Sequence, residues 1–175
     1  MPHLLDNYKQ LVARVDALCD VISLSLGKQI TCSAGCSSCC TSITIFPVEA
    51  AAMRKALAGL PGQEAREIIR HVSEHADGER CPLLFQHHCL LYEVRPIICR
   101  THGLPIIYTN NDQRNSDCCP LNMNDTEAVS GSHVVDLDKL NTLLAAVNSI
   151  YLSQSESTDI PERLTIADVI TGPSS

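Results

Sequence analysis

Four cysteines fall within nine positions, Cys32, Cys36, Cys39 and Cys40, spaced Cys-x3-Cys-x2-Cys-Cys. Cys81, Cys89, Cys99, Cys118 and Cys119 follow at wider intervals. Thiolates are soft ligands that select zinc, iron–sulfur clusters or copper(I) over hard cations. Zinc takes four ligands in a tetrahedron, and four cysteines also complete a typical iron–sulfur cluster. Pairs two or three residues apart suit such centres because one turn of backbone aims both sulfurs at one point. Adjacent side chains diverge, so Cys39 and Cys40 point to two metals rather than one. Cys81, Cys89 and Cys99 are placed for a hairpin and its exit to deliver them to a shared site. The tenth cysteine, Cys19, lies on the apolar stripe of a helix, where a small buried thiol is the expected role.

The elements that must position these sulfurs are legible from periodicity. Leu4, Tyr8, Leu11, Val15, Ile22 and Leu26 recur at helical steps, predicting a helix over 4–26 that Gly27 stops. "SITIF" has a short strand's composition, and Pro47 suits the first turn of a helix over 48–59. Another helix is expected over 62–76, with His71 and His75 on its polar or edge positions, solvated rather than metal-bound. "PLLFQHHCLLY" reads as two short strands about a tight turn containing His87 and His88, and "NND" is a further turn. Helix returns over 136–152, and Thr165 with Asp168 would cap a short segment, "TIADVI". The expectation is a mainly helical α+β fold, with helices enclosing a small, irregular, cysteine-rich hairpin region organised by metal. One domain spans 1–175, with a frayed tail over 171–175.

Composition narrows the function classes. There is no Trp and only two Phe and four Tyr, so large aromatic anchors for a core are scarce and metal can replace part of it. A formal charge of −7 and a pI near 5.4, with no run of Lys and Arg, argue against nucleic acid. No apolar stretch has the length of a membrane span. The first twenty residues carry Asp6, Lys9, Arg14 and Asp16 and do not read as a signal peptide. The cytoplasm is the expected compartment, where closely spaced cysteines read as metal ligands rather than as a disulfide framework. A protein partner is left unspecified.

"CSAGCSSCC", followed by "CPLL", "HHCLLYEVRPIICRTHG" and "CPLN", resembles the CxxCxxCC or YkgJ-like cysteine-cluster family of zinc- or iron-chelating domains, over residues 32–122. The resemblance implies a ligand set of Cys32, Cys36, Cys39, Cys40, Cys81, Cys89, Cys99 and Cys119. Tyr92, Arg95, Pro96 and Arg100 belong to the same motifs. The doubled "CC" leaves one sulfur too many for two sets of four, and Cys119 is preferred to Cys118 because it directly precedes Pro-Leu-Asn. His102 can take the place of a sulfur at zinc, though a hydrogen-bonding or surface role is the stronger expectation. Structural roles are expected of Arg95 and Arg100, which can also offset thiolate charge.

The expected function is metal binding, with zinc or iron, including an iron–sulfur cluster, as cofactor. The alternative is an iron–sulfur enzyme, such as a radical-type methyl transferase related to flagellin lysine methylases. Cys-x3-Cys-x2-Cys has that spacing. Against it, the motif follows a long helix rather than the first strand of a barrel, and Ser38 stands where an aromatic residue commonly precedes the third cysteine. No His-Glu-x-x-His, Gly-x-Ser-x-Gly or phosphate-cradling glycine loop suggests hydrolysis, and no catalytic residue is assigned.

Overall fold

The computed structural model describes residues 4–31, 35–122, 133–155 and 159–172. In chain order the elements are α1 (Asp6–Leu26), β1 (Thr44–Ile45), α2 (Pro47–Ala58), α3 (Gly62–Glu74), β2 (Leu84–Phe85), β3 (His88–Cys89), α4 (Ile97–Thr101), β4 (Ile106–Asn110), β5 (Gln113–Asp117), β6 (Val135–Asp136), α5 (Leu137–Ser153), β7 (Leu164–Thr165) and α6 (Ile166–Thr171). Helix accounts for 52% of the described residues and strand for 14%, which makes the fold mainly helical α+β, as expected. The chain forms two compact units. The first takes in described residues among 1–5, 34–96 and 148–175, the second those among 6–33 and 97–147.

The first unit is organised by α2, α3 and α6. Their apolar stripes meet in one core of Ile45, Met53, Leu57, Ile68, Val72, Leu83, Leu91, Ile166 and Val169, with Cys81 and Cys89 packed against its edge. Pro47 opens α2, where its missing N–H costs nothing, while the Val48 N–H is satisfied by Asn148 Oδ1 at 3.1 Å. Glu49 Oε2 accepts from the Phe46 N–H at 3.0 Å, the reciprocal half of a capping box. The short strands β1 and β7 pair antiparallel, Thr44 opposite Thr165 and Ile45 opposite Leu164. Thr165 Oγ1 accepts from the Asp168 N–H at 3.0 Å, the cap that the sequence predicts.

In the second unit α1 packs on α4. Tyr8, Leu11, Val15 and Ile22 are its buried stripe, and Gly27, at φ +50°, turns the chain out of the helix. β4 and β5 form a hairpin whose turn is Asn111-Asp112, both at positive φ (49° and 59°), and β6 joins β4 in parallel. Helix α4, five residues following Pro96, is too short to leave a periodic signal. β5, "QRNSD", has no apolar alternation.

Candidate metal centre

Backbone pairing within the first unit lays the segments that carry three of the expected ligands, Cys40, Cys81 and Cys89, alongside one another. A bridge between Thr41 and Arg80 lays the end of the first cysteine cluster against the segment leading to β2. The Cys81 N–H then donates to the Cys40 carbonyl at 3.0 Å. The hairpin β2–β3 returns the chain in register Leu84 opposite Cys89, so Cys89 stands on the strand beside Cys81's exit. The expected hairpin is present, with Cys89 on β3 and Cys81 three residues ahead of β2, while Cys99, expected at the same site, lies on α4 in the second unit.

Electrostatics reports the same convergence. Burial, with repulsion from Cys39, Cys81 and Cys89, pushes the Cys40 thiol up from 9.0 to about 11, against the lowering field of Arg80. Burial raises Cys81 and Cys89 as well. Two features pull the other way at both positions or at one. The Leu83 N–H hydrogen-bonds Cys81 and the Leu91 N–H hydrogen-bonds Cys89, each two residues beyond its cysteine, and the charge of Arg95 lowers Cys89. Hydrogen bonds to a sulfur favour its charged form. Burial at these cysteines therefore disfavours bare thiolates, while the backbone hydrogen bonds and the nearby guanidinium charges favour them. Soft sulfur donors with oriented N–H groups behind them fit zinc or iron.

A polar triangle ties the same segments. Arg80 donates to the Ser37 carbonyl at 2.7 Å and to its Oγ at 3.3 Å, and Ser37 Oγ lies 3.0 Å from His87 Nδ1. His87 is the turn residue expected, but Gln86 and His87 both take positive φ, 47° and 66°, which side chains other than Gly and Asn adopt reluctantly. Neither Ser37 nor Arg80 was singled out by spacing or type.

The remaining cysteines divide as follows. Cys36 lies in the first unit, its sulfur 3.6 Å from Ser38 Oγ. Cys99, on α4, and Cys118 and Cys119, after β5, lie in the second unit and are partly buried. Cys32 lies outside the described residues. Among the described residues no disulfide is present, and no group of three or more His, Cys, Asp or Glu side chains is placed to hold a metal ion. Cys19, expected to be a helix-packing thiol, sits half-buried with its sulfur 3.5 Å from the Arg100 carbonyl.

The second unit has its own organiser, one that sequence reasoning passed over. Asn122, 3% exposed, accepts the Thr31 N–H on Oδ1 at 2.8 Å and donates from Nδ2 to the Gly103 carbonyl, while Thr31 Oγ1 bonds the Leu121 carbonyl. One amide joins the residue before Cys32, the turn after Cys99 and the loop after Cys119. Its only sequence signal is its place at the end of Pro-Leu-Asn. Arg100, with its side chain 6% exposed, forms a bidentate pair with Asp16 at 2.7 and 2.8 Å, a structural role as expected. Arg95 lies 4.0 Å over the Tyr92 ring and donates to the Tyr92 carbonyl. His102 is exposed as a residue, though desolvation of its ring lowers its pKa.

With that geometry in view, a family model matches residues 31–120, just over half of the chain, under the description "CxxCxxCC: Putative zinc- or iron-chelating domain". The chain belongs to the CxxCxxCC family. No curated protein and no solved structure matches it. The CxxCxxCC match spans both segments that converge at Cys40 and Cys81, and it ends at Pro120, one residue past the last cysteine. No described helix is long and apolar enough to cross a membrane.

Proposed function

We propose that this protein holds zinc or iron through Cys32, Cys36, Cys39, Cys40, Cys81, Cys89, Cys99 and Cys119, in the cytoplasm, as a binding protein rather than a catalyst. Iron held this way includes an iron–sulfur cluster. Eight sulfurs suffice for two four-sulfur centres. The observation that supports the reading is the backbone pairing that lays the segments of Cys40, Cys81 and Cys89 alongside one another, near enough for Cys81 and Cys89 to raise Cys40.

The metal supplies the positive charge that lets the thiols ionise together. The chain's own residues do the rest. The Leu83 and Leu91 backbone favours the charged form of Cys81 and Cys89, Arg80 lowers the cost of charge at Cys40, and the core behind Cys81 and Cys89 keeps water from one side. Anaerobic purification followed by elemental analysis and a visible absorption spectrum tests the proposal. A colourless protein with stoichiometric zinc, or a coloured one with iron, is the expected result. Neither metal above trace would overturn it.

A further inference from the structure

A cleft of about 600 Å³ opens in the first unit between α3 and the β2–β3 hairpin, and its polar lining differs in kind from the thiols. His71 and His75 both line it, with ring centroids 4.2 Å apart. His71 lies in the last turn of α3, and His75, four residues on, is the residue that caps the helix's C-terminus.

The hydrogen bonds fix which nitrogens are available. His71 Nε2 lies 3.1 Å from the Leu84 carbonyl, and His75 Nδ1 lies 2.8 Å from the His71 carbonyl. A carbonyl oxygen only accepts, so in each neutral ring the hydrogen sits on the nitrogen facing it. The lone pairs are therefore on His71 Nδ1 and His75 Nε2. An imidazole that donates one N–H to a backbone carbonyl while offering its other nitrogen is the arrangement of a metal-ligating histidine. Phe85 packs edge-on against His71, 5.3 Å between centroids, and limits its rotation. Glu64, Glu67 and Glu74 line the same cleft against one guanidinium, Arg70, which favours a cation there.

We infer that His71 and His75 form a second, imidazole-based site for a borderline divalent transition-metal ion of the zinc class. Among the described residues no third protein ligand stands ready, so water completes the shell and the ion exchanges readily. The hairpin contacted by His71 also carries Cys89, and Cys81 lies three residues before Leu84. An open, exchangeable site beside that hairpin suits capture of the ion before the thiolates take it; this purpose, unlike the site itself, rests on the function proposed above.

The test uses the full chain under reducing, anaerobic conditions, with its thiolate sites first saturated and the metal content measured. Zn²⁺ is then titrated in while histidine-ring nitrogen shifts are followed by NMR. One further equivalent should move His71 Nδ1 and His75 Nε2 together. His75→Gln leaves the bond to Leu84 intact and should weaken this uptake by about 10-fold or more. His71→Gln should do the same, and His88→Gln should change nothing. Absence of further uptake, or uptake that persists in both His75→Gln and His71→Gln, would overturn the inference. Low metal content before the titration would count against the thiolate proposal alone.

Discussion

Asn122 is small, polar and nearly inaccessible, and its amide satisfies a donor at Thr31 and an acceptor at Gly103. Asn122→Ala would remove both bonds, and because they are only partly buried the cost should lie toward the lower end of the about 1–3 kcal/mol for a buried group left unpaired. We expect a lower melting temperature together with lower bound metal; unchanged values for both would show that the amide organises nothing. Asp136 offers a pH test. Its carboxylate accepts the Lys139 N–H at 3.2 Å and pairs with Arg114 at 2.9 Å, contacts that hold its pKa below the ordinary carboxylate range. A folded pKa below the unfolded one adds stability above the unfolded value, and that stability is lost as pH falls through the folded one. Asn keeps the N-cap acceptor but not the charge. Asp136→Asn should therefore lower the melting temperature at neutral pH, and the difference from the parent should shrink in acid. The family of the cysteine motifs was legible because their type and spacing carry it. Asn122 and the Arg100–Asp16 pair were not, since each joins residues far apart in sequence and neither leaves a local pattern.

Among elements, the helices were read from periodicity to within a residue or two: α2, α3 and α5 are observed at Pro47–Ala58, Gly62–Glu74 and Leu137–Ser153. The cysteine hairpin was legible too, but not its partner, because the bridge between Thr41 and Arg80 and the bond from Cys81 to Cys40 depend on tertiary register. The two hairpin turns differ in chemistry. Asn111-Asp112 supplies residues that tolerate positive φ, whereas Gln86-His87 does not. His87 is retained by its bond to Ser37, but Gln86 is exposed. Gln86→Asn should stabilise the protein by about 0.5–1 kcal/mol, through the lower cost of the left-handed conformation. A denaturant midpoint that falls would contradict this reading of the turn.

Across the whole molecule, cysteines are shared between the units, with Cys36, Cys39, Cys40, Cys81 and Cys89 in the first and Cys99, Cys118 and Cys119 in the second. Thiolate–metal binding can supply on the order of 10 kcal/mol, comparable with the net stability of a domain. Exhaustive metal removal under reducing conditions should therefore lower the melting temperature markedly. An unchanged transition would mean that the metal is cargo rather than scaffold. The pairing of β1 with β7, and the burial of Ile166, Val169 and Ile170 among residues 45–91, bear also on the order of synthesis. A ribosome releases Cys40, Cys81 and Cys89 well before Leu164 and α6 emerge to close the core behind them. Until then these thiols wait on an unfinished nascent chain, open to oxidants and to the wrong ion alike. If the proposed metal is taken up once this core has closed, metal supplied after translation should be incorporated as fully as metal present throughout it.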